Sequence, residues 1–255
     1  MSARTSTTLR VARELTIVGL AAAVYVVVRA VTEGSVARAV QNGEAINRAE
    51  RSLGIAWEGA AQSLIIGSNF LVALANWVYI WGHWPVIIAA AVALYLRRPA
   101  HYRMLRDAVI CSGLIGFLCF YAVPTAPPRL AGLGLDDTVL EQSHAYRTLQ
   151  PPSLTNQYAA MPSLHFGFNL LVGIILFAAF ATLAVRVFAV AMPVAMAFAV
   201  VATANHFVLD VVAGMLVACV GLAVAVALER HRAHGNGPVS PVRSAPARAL
   251  EPRLH

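Results

Sequence analysis

Lysine is missing from this chain: all 19 basic residues among its 255 are arginines, whose guanidinium groups stay charged in proteins. Charge as a whole is scarce. Only 12% of residues are charged, about half of the ~25% found in soluble domains, so a water-soluble globule is excluded. The three cysteines, Cys111, Cys119 and Cys219, lie inside apolar runs, which argues against a disulfide framework or a cysteine metal cluster. No internal repeat, no nucleotide-binding glycine loop and no His-Glu-x-x-His helix is present.

What remains is apolar. Hydrophobic residues make up 59% of the chain and mean hydropathy is +0.68, in long runs punctuated by charge. Spanning helices read this way when each crosses ~30 Å of hydrocarbon with ~20 residues. The pattern predicts an all-α, polytopic membrane helical bundle with about six transmembrane helices, near residues 12–31, 77–96, 103–123, 164–184, 186–204 and 206–228. The first run follows Arg4, Arg10 and Arg13 and is longer than the apolar core of a secretory signal, so it reads as a retained span. The predicted organisation is a cytoplasmic segment 1–11, a membrane domain 12–228 and a disordered basic tail 229–255. Within the membrane domain, 32–76 reads as an amphipathic outer segment and 124–163 as an outer loop. Its stretch 57–75 is apolar enough either to span or to lie in the interface.

Arginines set the orientation, because positive flanks stay cytoplasmic. Arg97, Arg98, Arg103, Arg106 and Arg186 share a side with the amino-terminal and tail arginines. The expected location is therefore the cell membrane, with both termini cytoplasmic. The basic charges flank apolar runs, which points to anionic lipid headgroups as partners and away from nucleic acid.

Three polar clusters then gather on the extracytoplasmic side: Pro124 to Leu130, Ala160 to His165 and Thr203 to Asp210. His206 and Asp210 are four residues apart and share one helix face. A carboxylate holding one imidazole nitrogen as N–H leaves the other as a nucleophile; the alternative is a packing ion pair. An acid so close to a span carries an insertion cost and is usually functional. His165 opens a helix after Pro162, where free amides and the Ser163 hydroxyl form an anion site. Arg129 offers a guanidinium for phosphate oxygens, or snorkels to headgroups. Asn205 adds a polar group to the phosphate site, while His83 and Tyr158 are candidate lining residues. Trp77, Trp81 and Trp84 around His83 read as an aromatic belt.

In combination these clusters resemble the type 2 phosphatidic acid phosphatase superfamily, in particular its inositol phosphorylceramide synthase branch of inositolphosphotransferases. Pro162-Ser163-Leu164-His165 is similar to its Pro-Ser-x-His signature, and His206 to Asp210 to its His-x-x-x-Asp signature. The proline-rich stretch from Pro124 to Arg129 is similar to a segment of the synthase branch. The resemblance runs over residues 77–228 and implies a six-helix core. By that resemblance His206 attacks phosphorus to form a phosphohistidine, Asp210 orients it, His165 protonates the departing oxygen, and Ser163 holds a phosphate oxygen. No metal or other cofactor is implied.

Two departures stand out. Ala199 and Val200 occupy the Ser-Arg positions of the phosphatase form, and the Lys/Arg-Pro signature has no counterpart on the outer face. Arg129 must then carry more of the transition-state charge. The expected function is a lipid phosphatase or phosphotransferase acting on a membrane lipid phosphate or phosphodiester, with an alcohol as candidate acceptor. The alternatives are a simple lipid or polyprenyl phosphate phosphatase, a metal-dependent intramembrane hydrolase, or a non-enzymatic transporter.

Overall fold

A computed structural model of the protein describes residues 11–20, 23, 36–142 and 156–235. Residues 11–20 are helical. Among the described residues nine further helices follow: α1 Val36–Leu53, α2 Glu58–Ile66, α3 Asn69–Trp81, α4 Trp84–Arg97, α5 Pro99–Ala122, α6 Thr138–Gln142, α7 Leu164–Ala179, α8 Leu183–Ala202 and α9 Val208–Gly235. A 3-10 turn covers Pro128–Leu130. Among the described residues there is no strand, only an isolated parallel bridge between Thr125 and Ala159. The fold is an all-helical membrane bundle.

Its spans differ from the six expected. Among the described residues, α5, α8 and α9 are long and apolar enough to cross a membrane, and α3 with α4 makes a fourth if the bent pair is one span. The run expected at 77–96 is broken at Gly82 and His83, where the axes bend by 46°. Pro85 starts α4 there without a donor, and Gly82 sits so close to Met192 and Met196 that a Cβ would meet their methyl groups at 2.1 and 3.2 Å. α7 is only 16 residues long and stops short of the expected residue 184. Phe180 turns extended, and Arg98 Nε donates to the freed carbonyl of Ala179 at 3.0 Å. Arg98 therefore caps a helix, beyond the orienting role its position suggested. Half of the expected first span, residues 21, 22 and 24–31, lies outside the described residues.

α5 and α9 lie side by side and α7 packs against both and against α8. Leu94, Leu105, Ala108, Leu171 and Ile175 form the core between them, all at most 2% exposed. At one end Arg106 pairs with Glu14 and Asp107, Arg232 with Asp107 at 2.6 Å, and Arg103 with Glu229. α9 continues as helix to Gly235, past the expected end of the membrane domain at residue 228; residues 236–255 of the expected tail lie outside the described part. At the other end α1, α2 and the loop after α5 close over the bundle. Asn42 Nδ2 donates to Pro124 O at 2.8 Å and Ala126 N to Ala39 O at 2.9 Å. Gln62 exchanges two hydrogen bonds with the Asp136 backbone at 2.9 and 3.0 Å, and Asn76 two with Thr138 at 2.8 and 3.1 Å.

Candidate active site

At this closed end four structural breaks meet: the α3–α4 bend, the start of α7, the end of α8 and the start of α9. Each break frees backbone groups from helical bonding; side chains meet them at the start of α7, the end of α8 and the start of α9, whereas among the described residues the α3–α4 bend has no side-chain cap. Ser163 is the N-cap of α7, its Oγ accepting from Phe166 N at 3.4 Å. Its own amide donates to the Asp210 carbonyl at 2.9 Å, so the two signature segments are joined through their backbones. Close approach makes this possible: a Cβ on Gly214 would stand 2.3 Å from the Ser163 carbonyl oxygen.

His206 and His165 come together, with ring centroids 6.0 Å apart and planes tilted by 51°. His206 is buried, 4% exposed, and its Nδ1 lies 2.8 Å from the Ala160 carbonyl oxygen. A carbonyl can only accept, so Nδ1 carries the hydrogen and the lone pair is on Nε2. Asp210 stands farther off, 3.5 Å from the same nitrogen, with its Oδ2 accepting from Phe207 N at 2.8 Å. The carbonyl thus fixes the tautomer that the sequence reading assigned to the carboxylate, and Asp210 places a carboxyl group beside it.

His83 joins this pair. Its ring stacks on His165 with centroids 4.1 Å apart, and Tyr79 stacks on His165 as well, at 4.5 Å. His83 is 4% exposed and its Nδ1 has no hydrogen-bond partner among the described residues. Three imidazoles therefore share one small volume, with the partly exposed His165 in the stack.

Arg129 approaches through its backbone, its amide donating to Ala204 O at 3.0 Å. Its Nε is held by Asp137 Oδ2 at 2.8 Å, with the side chain 9% exposed. Asp137 also caps α6, Oδ1 accepting from Leu140 N at 3.1 Å. Asn205, expected to contact phosphate, gives its amide nitrogen to Thr203 O at 3.2 Å and Thr203 Oγ1 at 2.9 Å; its role here is to hold the loop in which Ala204 takes φ 53°. Tyr158, expected to line the pocket, packs with Ala39, Ala126, Ala131 and Phe207.

Two site neighbours were not singled out as site residues in the sequence. Glu50 of α1 and Glu58 of α2, 0% and 3% exposed, reach the start of α9. Glu50 Oε1 accepts from Leu209 N at 2.6 Å and Glu58 Oε1 from Val208 N at 3.0 Å. Burial, together with the neighbouring Glu58 carboxyl, raises the Glu50 pKa from the usual carboxylate range to about 8. Nothing in the local sequence marks these acids, which look like the solvated face of an amphipathic segment. Among the described residues no group of three or more His, Cys, Asp or Glu side chains could hold a metal ion.

No curated protein and no solved structure matches this chain. A family profile described as the PAP2 superfamily matches residues 44–224, which includes every residue of the imidazole cluster, Arg129 and both buried glutamates. That match extends over most of the chain, and the protein belongs to the PAP2 superfamily, whose membership assigns it to phosphatase-type lipid enzymes.

Proposed function

We propose that the protein transfers a phosphoryl group from a membrane lipid phosphate or phosphodiester by two displacements at His206. Nε2 attacks phosphorus while the bond to the leaving oxygen breaks, and His165 gives that oxygen a proton. The acceptor then loses its proton to His165 and attacks the phosphohistidine, which restores His206. The observation that carries this reading is the 2.8 Å contact of His206 Nδ1 with the Ala160 carbonyl, because it leaves Nε2 as the nucleophilic atom. A centroid separation of 6.0 Å is too wide for the rings to bond each other and suits one phosphoryl group touched by both.

Arg129 supports the reading: Asp137 takes Nε, and the terminal nitrogens remain to meet phosphate oxygens. Ser163 presents a hydroxyl hydrogen at the amide-rich start of α7. The site lies at the extracytoplasmic face, since Arg97, Arg98, Arg103, Arg106 and Arg232 all sit at the opposite ends of their helices. The absence of an arginine at Val200 favours the synthase-like branch, with an alcohol as acceptor. Purified protein is incubated with phosphatidic acid, phosphatidylinositol and a polyprenyl phosphate, with and without inositol or a lipid alcohol. From phosphatidic acid or the polyprenyl phosphate the expected product is a phosphomonoester of the added alcohol, and from phosphatidylinositol with the lipid alcohol it is a new phosphodiester. Release of inorganic phosphate alone makes water the acceptor, and turnover unchanged in His206→Ala removes the mechanism.

A further inference from the structure

The first amides of a helix have no acceptor within it, and one Asp or Ser at the N-cap usually suffices to satisfy the most demanding of them. α9 departs from that economy. Three successive amides, those of Phe207, Val208 and Leu209, are received by three different buried carboxyl groups, from Asp210, Glu58 and Glu50. The positive end of the helix dipole welcomes one negative charge. Three acids without solvent are a different matter, because each desolvated carboxylate is costly and repels its neighbours. Stability alone does not account for such an arrangement.

Its geometry does. His206 immediately precedes these amides. Upstream, the His206 amide donates to Val200 O at 3.0 Å, which ties the residue to the end of α8. Downstream, Val208 and Leu209 are tied to α2 and α1. These two helices are anchored in turn through Asn42 to Pro124 and through Gln62 to Asp136. The imidazole thus projects from a turn clamped on both sides by separate elements.

We propose that Glu50 and Glu58 are positioning residues for His206: by receiving the Leu209 and Val208 amides they fix the turn that carries the imidazole, and so set the approach of Nε2 to phosphorus. This rests on the reading of His206 as the nucleophile. Neither acid touches the substrate. Glu50 acts as a neutral acceptor, consistent with its pKa near 8 and with the proximity of Glu58 and Asp210, the acidic groups that face it. An amide side chain can therefore replace it, whereas a shorter acid that no longer reaches Leu209 cannot.

The test uses the full chain in detergent micelles with dioctanoyl phosphatidic acid, following kcat, KM and the thermal midpoint. Glu50→Ala, Glu50→Asp and Glu58→Ala are expected to lower kcat by about 10- to 100-fold, the range set by displacing a reacting group by up to ~1 Å, with KM within about twofold of wild type. Glu50→Gln is expected to retain kcat within about threefold. Wild-type kcat in both alanine variants overturns the proposal, as does a Glu50→Gln variant as impaired as Glu50→Ala. Should the alanine variants fail to fold, the contrast between Glu50→Gln and Glu50→Asp decides alone, and equal kcat in the two overturns the proposal. His206→Ala separates the two layers. If it remains active, the nucleophile assignment is wrong; if it is inactive while Glu50→Ala and Glu58→Ala are fully active, only the positioning role falls.

Discussion

Adding a single methyl group at Gly214 should damage the site without replacing any of its polar side chains. The Cβ of Gly214→Ala would stand 2.3 Å from the Ser163 carbonyl oxygen and 3.1 Å from its carbon. Both are backbone atoms, so no rotamer change relieves the contact. Ordinary contact begins at 3.4 Å, and in a close-packed interior α9 must retreat from α7 by about 1 Å. That retreat stretches the 2.9 Å bond from Ser163 N to Asp210 O and draws His206 away from His165. Overpacking of this kind costs about 1–3 kcal/mol of stability, while displacing one reacting group by ~1 Å costs on the order of 10²-fold in rate. Initial rates on a lipid phosphate, measured beside thermal unfolding in the same detergent, should show a large fall in kcat and a modest fall in midpoint. Wild-type kcat in Gly214→Ala would mean that the α7–α9 contact does not set the distance between the histidines.

Arg129→Ala should lower kcat/KM by on the order of 10²-fold, as removal of a positioned charge donor does. Unchanged kinetics in this variant would leave the guanidinium as an interfacial anchor. The Glu50 carboxyl gives a pH signature in stability. Unfolded, it ionises near 4.5; folded, it holds its proton to about 8. The native state therefore binds more protons across that window, and stability falls as pH rises through it. Thermal midpoints of wild type relative to Glu50→Gln should drop from pH 4.5 towards pH 8, and parallel curves would refute the burial argument.

The membrane class and the meeting of His165, His206 and Asp210 were legible in the sequence because both depend on local signals, namely apolar runs and short fixed spacings. Helix boundaries were less so. The run at 77–96 is continuous in hydropathy, yet Gly82, His83 and Pro85 break it, and that break is what delivers His83 to the His165 ring. Apolar composition continues past Ala179, but the Arg98 side chain ends α7 there through a contact between residues 81 positions apart. Glu50 and Glu58 were invisible as site residues for a similar reason. Their partners, Leu209 and Val208, lie 159 and 150 positions away, and in isolation α1 reads as a solvated helix. Asn205 shows the converse limit: a signature neighbour with suitable chemistry turned its amide inward to Thr203.

The claim on which the account depends is a covalent bond between phosphorus and His206. Protein incubated briefly with a radiolabelled lipid phosphate, quenched in alkali and digested, reports it directly, since a phosphohistidine survives base and is lost in acid. The expected result is acid-labile label on the peptide containing His206, absent from His206→Ala and formed more slowly in His165→Asn, which lacks the proton donor of the first displacement. Steady turnover with no label on that peptide, or label that persists in His206→Ala, would contradict the account.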